Sequence, residues 1–314
     1  MKSRTSALAA AALIAALALS GCTAKTSQTS TSGDSGSSNS SNSSGSQAMT
    51  PQISVAVELS ESTSDLAYYL RQQAEQLDGG AAEFAAAYQA GDDDLARSLY
   101  APTRMFYNRM LVVSDSFADL DARLDTRQQD LTAGEAFTGW HAIEQDLYPV
   151  AGQAPYSAEQ RTALATGLAA DTHALVEQIN GLRPTVDQQT EGAAKLLQTR
   201  GVNAANGAED AASSSDLYDL QGYVDGAQLV FEGIRVVLVT QDAALATTLD
   251  HEFGGIQDSL NAQREGVAFK RYDKVSADDL ASLKDKVSAL AASLSQVTVT
   301  MAPATATPTP APAG

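Results

Sequence analysis

The stretch Phe137-Thr138-Gly139-Trp140-His141-Ala142-Ile143-Glu144 holds the residues of this 314-residue chain most able to do chemistry. If residues 138–147 are helical, His141 and Glu144 stand three apart and share a face. An imidazole beside a carboxylate suits a borderline metal such as zinc or iron. The same spacing also describes a helix-surface histidine whose pKa a neighbouring acid raises; two ligands alone do not define a site. A second pair, Asp216 and Asp219, again three apart, lies in Ser215-Asp216-Leu217-Tyr218-Asp219-Leu220-Gln221. Were that helix to cross the one bearing His141, its carboxylates would complete a site of the kind bundles build from facing helices. Taken alone, Asp216 reads equally as the cap of its helix.

The other histidines offer less. His251-Glu252-Phe253-Gly254-Gly255 begins like a zincin motif, but its fifth position is Gly where a second His must bind zinc. His173 and His251 therefore read as ordinary helix residues. No Ser, His and Asp grouping shows a nucleophile elbow, and no Gly-rich phosphate loop follows a strand. Binding rather than catalysis is the expectation.

The elements that must position these groups read as helices throughout residues 51–301. Leu66, Leu70, Ala74, Leu77, Ala81, Phe84 and Tyr88 keep one face of a first helix, with Ser64 and Asp65 as its expected cap and Gly91 as its end. Asp92 to Asp94 start a second helix carrying Leu95, Leu99, Phe106, Met110 and Val113, with a kink expected at Pro102. Ser157 and Gln160 form a capping box for a helix bearing Leu164, Leu168, Leu175 and Ile179. Another begins at Pro184, residues 201–213 read as a loop, and long helices are expected from Ser215 to Leu238, near 242–264 and near 276–298. Closely spaced helices pack as antiparallel neighbours. A faint repeat aligns Tyr107, Met110 and Val113 with Phe231, Ile234 and Val237, suggesting related halves at 60–150 and 157–300.

The two ends differ from this body. Lys2 and Arg4 precede the apolar run Ala7 to Leu19, which is too short to span a bilayer. Leu19-Ser20-Gly21-Cys22 then matches the lipobox of bacterial lipoproteins, so residues 1–21 read as a signal peptide and Cys22 as the lipidated residue. As the single cysteine, Cys22 excludes an intrachain disulfide and a thiolate-built copper or iron–sulfur site. Residues 22–50 are rich in Ser, Gly, Thr and Asn and read as a flexible tether. Residues 302–314 alternate Pro with Ala and Thr and read as a disordered tail. Such ends place the protein on the extracytoplasmic face of a cell membrane, at a Gram-positive surface or in a periplasm. The net charge of −18 becomes −20 once Lys2 and Arg4 leave with the signal. A chain so acidic is not expected to bind nucleic acid.

Several ordered pieces resemble the imelysin-like iron-uptake lipoproteins of the EfeM/EfeO type. They are Ala101-Pro102-Thr103-Arg104 with Tyr107, Ser116-Phe117-Ala118-Asp119-Leu120-Asp121, and Asp125-Thr126-Arg127. Phe137 to Glu144 follows, similar to the family's Gly-x-His-x-x-Glu signature, then Asp216 to Gln221 with Gly226, and Tyr272 to Asp278. The resemblance implies an all-α fold, a pair of antiparallel helical bundles, with a metal site that includes His141 and Glu144. Asp216 and Asp219 would add carboxylates from the second bundle. Iron is the implied metal, with zinc or copper able to use the same groups, and an iron permease of an Efe-type system is the implied partner. Envelope-polymer or protein binding at the bundle cleft is the alternative, and metallopeptidase activity ranks last. The pattern departs from the family where acids or His are usual, at Asn108, Leu111, Gln128, Gln129 and Ser214. Longer members also carry an N-terminal copper-protein-like domain, for which the tether leaves no room, so the chain resembles the short form.

Overall fold

The computed structural model describes residues 54–305, so the signal, the lipobox Cys22, the tether and the end of the tail lie outside the described residues. Ten α-helices follow in order among them: α1 Val55–Ala90, α2 Asp93–Met110, α3 Ala118–Asp125, α4 Gly139–Leu147, α5 Ala158–Gly181, α6 Val186–Leu196, α7 Val202–Ala205, α8 Asp216–Gln241, α9 Ala243–Ala262 and α10 Ala277–Thr305. The fold is all-α, as expected.

Local sequence sets most of these boundaries. Gly91 ends α1, and the Asp92 carboxylate accepts the Leu95 N–H at 3.2 Å to open α2. The Ser157–Gln160 capping box is present, and Thr185 with Gln188 forms a second one at α6. Four expectations are corrected. The first helix begins at Val55, and Ser64 lies inside it with its hydroxyl donating to the Ser60 carbonyl. The second stays helical through Pro102 but tightens into a 3₁₀ segment, Leu111–Phe117, before Val113 can join it. The sixth continues through a π turn, Leu197–Gly201, into α7, so the 201–213 loop starts only after Ala205. The last, expected near 276–298, runs to Thr305, four residues into the segment read as a disordered tail. An antiparallel ribbon pairs Arg264 with Phe269 and Glu265 with Ala268, the one sheet among the described residues.

The helices pack in two antiparallel sets that share one core. α1 lies antiparallel to α2, since Gly80 faces Thr103 while Gln73 meets Arg109, and α5 covers α1. In the second set α8 lies antiparallel to α9, with Phe231 stacked on Phe253 and Arg235 paired to Asp250, and α10 packs on α6 and α9. The join is α8 against α1 and α2. There Gly222 allows close approach, because a Cβ on it would sit 2.6 Å from that of Asn108. This approach sets the acids of α8 against the polar residues of α2. The core runs through Leu70, Leu77, Phe84 and Tyr88 of α1, all fully buried on the face the spacing predicts.

Candidate metal centre

Helix α4 is short and held at both ends. Gly139 has φ +72°, and a Cβ there would lie 2.1 Å from the Leu124 carbonyl, so only glycine lets the helix start against the end of α3. Trp140 anchors one side, buried with its ring 5.4 Å from Phe84 and 6.1 Å from Tyr100. At the far end the Asp146 carboxylate accepts from Tyr88 OH at 2.9 Å and pairs with Arg161 at 2.8 Å. These fixings turn His141 and Glu144 to one face, with Nδ1 3.1 Å from Oε2 and both residues only 4% exposed.

The third group arrives from the loop between α7 and α8. Asp210 Oδ1 lies 3.6 Å from His141 Nδ1, and ligand atoms of His141, Glu144 and Asp210 all fall within 4.8 Å of one another. Tyr100 OH donates to Asp210 Oδ1 at 3.0 Å, and Ser215 Oγ to its Oδ2 at 2.6 Å. Glu144 Oε1 accepts both the N–H and the hydroxyl of Ser213 at 2.8 Å. The other ring nitrogen, His141 Nε2, lies 3.4 Å from Asp125 Oδ1 on α3.

Behind this triad is a buried ionic lattice. Arg104, wholly buried on α2, pairs with Asp125, with Asp219 at 3.1 Å and with Asp210 at 3.4 Å. Arg200, placed by the π turn, pairs with Asp125 and with Asp121 at 2.6 Å. Seven carboxylates (Asp121, Asp125, Glu144, Glu209, Asp210, Asp216, Asp219) face three guanidiniums (Arg104, Arg127, Arg200), and all but the intermediate Asp121 are buried acids. Buried negative charge in such excess is unfavourable unless protons or cations neutralise it. Burial raises Asp219 far above the usual carboxylate range, with Arg104 opposing and Asp210 reinforcing. Burial and Asp210 lift Asp216 to about 7. His141 loses basicity to burial and to Arg104 but gains more from Asp125 and Glu144, and reaches about 9. Asp125 is pushed up by burial, yet Arg104 and Arg200 hold it well below its ordinary value. The arrangement holds protons where a cation would serve, and a cation binding there would displace them.

The structure thus brings His141 and Glu144 together but distributes the two expected α8 acids differently. Asp216 Oδ1 accepts the backbone N–H groups of Glu209 and Asp210, at 3.0 and 3.2 Å. It holds the loop rather than capping α8, whose cap position, Ser215, makes no side-chain capping bond. Asp219 sits behind the triad, its Oδ1 held by Arg104 and by Asn108 Nδ2 at 2.5 Å. Asn108, at a position where the resemblance led to an acid being expected, instead donates to Asp219. Ser214 accepts from Arg271 at 3.2 Å, and Gln128 and Gln129 line the cleft above His141. Asp210 was missed by sequence reasoning; Glu209-Asp210 is the single acidic pair in its Gly, Ala and Asn-rich segment. His173 and His251 are exposed, His173 beside Asp78 at 3.3 Å. A cavity of about 250 Å³ opens onto His141 and Glu144, walled by Phe137, Tyr148 and Val150 on its apolar side and by Arg127 and Glu209 on its polar side.

Comparison with known proteins shows relatives over most of the described body. The imelysin family model, Peptidase_M75, matches residues 64–297. An "Iron uptake system component EfeO" from Yersinia pseudotuberculosis is 32% identical over 245 residues, covering 77% of this chain and 64% of the relative. An "Iron uptake system component EfeM" from Pseudomonas syringae is 31% identical, with coverage of 76% and 84%. An "Efem/EfeO family lipoprotein" from Staphylococcus haemolyticus is 30% identical, with coverage of 76% and 83%. The match thus spans just under two thirds of the Yersinia relative's length.

Proposed function

Since the chain belongs to the imelysin family, in the company of EfeM and EfeO proteins, we propose that it is a lipid-anchored, extracytoplasmic iron-binding component of an Efe-type uptake system that hands iron to a membrane permease. The observation that carries this reading is the buried triad of His141, Glu144 and Asp210, of which His141 and Glu144 line a cleft. One imidazole and two carboxylates form a donor set suited to ferrous or ferric iron, and zinc or copper can use the same atoms. Iron here is cargo, so the triad needs positions left open for exchange, which the cleft supplies. The relatives' names as uptake components support binding and delivery over catalysis. Cys22 would carry the lipid, and the tether would give the domain reach from the membrane.

Calorimetric titration of the metal-free, full-length protein with ferrous iron and with zinc tests the site. Binding that His141→Ala abolishes is the expected result, and equal binding by that variant would remove the mechanism. The second reading, recognition of an envelope polymer, draws on a cavity of about 840 Å³ lined by Ser60, Thr63, Arg71, Arg183 and Thr185. Cosedimentation with cell-envelope glycan that survives a chelator would favour it.

A further inference from the structure

Three consecutive serines join the Asp210 loop to α8, and two of them hold the triad carboxylates. Ser213 gives its N–H and its hydroxyl to Glu144 Oε1, each at 2.8 Å. Ser215 gives its hydroxyl to Asp210 Oδ2 at 2.6 Å, and the two serine Oγ atoms lie 2.8 Å apart. The oxygens turned toward His141 Nδ1 are the opposite ones, Glu144 Oε2 at 3.1 Å and Asp210 Oδ1 at 3.6 Å. Tyr100 OH also donates to Asp210 Oδ1, at 3.0 Å, which leaves that oxygen a second lone pair. Each of these carboxylates is therefore divided, with one oxygen facing the imidazole and the other engaged by a serine.

The chain gives up local stability for this arrangement. Ser214, between the two, has φ +59°, the one positive value at a non-glycine residue among the described residues. Such a conformation is costly and persists only where its surroundings impose it. Here the Ser214 N–H donates to the Asp210 carbonyl at 2.7 Å, and the Ser214 carbonyl accepts from the Tyr272 N–H at 2.8 Å. Ser215 occupies the cap position of α8, where a serine hydroxyl ordinarily accepts from the first turn. It makes no such bond and serves Asp210 instead.

Accepting the triad as the cation site, we propose that Ser213 and Ser215 are positioning residues that set its selectivity, by confining Glu144 and Asp210 to ligation through one oxygen each. The ions admitted are small borderline cations such as ferrous iron and zinc, and the ion refused is calcium. A pocket so rich in carboxylates would otherwise suit hard, oxygen-seeking cations. Calcium takes about six to eight oxygen ligands and commonly draws both oxygens of a carboxylate. To do so here it would have to pull Glu144 Oε1 or Asp210 Oδ2 away from its serine. Zinc and ferrous iron accept a smaller shell that includes nitrogen. One imidazole nitrogen and two single carboxylate oxygens supply its protein part.

The experiment titrates the metal-free, full-length protein with zinc and with calcium. Cobalt(II), whose visible absorption weakens as its coordination number rises, reads the ligand shell directly. Ser215→Ala frees Asp210 Oδ2 and is expected to bring calcium affinity about tenfold closer to that of zinc, the scale of outer-shell effects, and to weaken the cobalt absorption. Ser215→Thr keeps the hydroxyl and is expected to restore the native ratio and spectrum. Ser213→Ala leaves the backbone N–H on Glu144, so it is expected to move both readouts the same way by less. Circular dichroism confirms that the variants fold. An unchanged ratio of affinities in Ser215→Ala overturns the proposal, as does Ser215→Thr behaving like Ser215→Ala. Zinc and calcium affinities that fall together under a native cobalt spectrum would leave the serines only holding the loop, and overturn it as well. Undiminished zinc binding by His141→Ala would remove the triad reading and this proposal with it, a failure distinct from serines that do not select.

Discussion

His141 Nε2 lies 3.4 Å from Asp125 Oδ1, while the other nitrogen of the ring faces Glu144. A carboxylate on the far nitrogen of a metal-binding histidine fixes its tautomer and ring orientation and raises its strength as a ligand. Arg104 and Arg200 keep Asp125 ionised for this task. Asp125→Asn should therefore weaken zinc and iron binding by about 10–100-fold although Asp125 is not a member of the triad. A competition titration against a chelator of known affinity checks this, and native affinity in the variant would assign Asp125 to the ionic lattice alone.

The pH dependence has a definite direction. His141 titrates at about 9 in the folded chain against an ordinary 6.5, so its contribution to stability is complete below pH 6.5 and is lost as pH rises through 9. Asp216, raised to about 7 from 3.8, acts with the same sign over a lower window. Thermal melting of the metal-free protein should fall between pH 6 and pH 9.5. Bound zinc should reduce that fall, because the ion replaces the proton on His141. Calorimetry at pH 7 in buffers of different ionisation enthalpy should accordingly show protons released on metal binding.

The two hydrogen bonds from the 209–210 backbone to Asp216 Oδ1 separate a loop holder from a ligand. An amide oxygen can accept the same two N–H groups, so Asp216→Asn should bind metal nearly as the native chain does. Asp216→Ala leaves those two donors unpaired, at about 1–3 kcal/mol each if they stay buried, and should lose affinity as the loop carrying Asp210 loosens. Asp210→Asn should lose it by removing a charged ligand. If Asp216→Asn behaves like Asp210→Asn, Asp216 binds the ion directly.

Helix faces were legible because burial imposes a period: Leu70, Leu77, Phe84 and Tyr88 recur at helical spacing and are fully buried. Capping chemistry was legible for the same local reason, as at Ser157 and Gln160. His141 and Glu144 were readable as a pair because three residues separate them on one helix. Asp210 was not, since a loop residue is placed by contacts distant in sequence, here Tyr100 across 110 positions. Nor could spacing show that Asp216 faces a loop and Asp219 faces Arg104, because both depend on how closely α8 approaches α2 at Gly222. The start of α1 was misjudged because Ser64 has the chemistry of a cap but spends its hydroxyl on the preceding turn.

Arg104 supplies the sharpest test of the buried charge excess. It is 0% exposed and meets Asp125, Asp210 and Asp219 together. Removing one partner of a buried ionic group leaves uncompensated charge and costs about 3–5 kcal/mol. Arg104→Met preserves much of the side chain's volume, so its loss should be mainly electrostatic. The metal-free variant should melt well below the native protein. A divalent cation at the triad lies beside Asp210 and would restore part of the missing positive charge. Zinc should therefore raise the melting temperature of Arg104→Met by more than it raises that of the native chain, after allowance for any difference in affinity. An equal or smaller rise would mean that the ion does not sense the acids that Arg104 neutralises, and would place the metal outside this lattice.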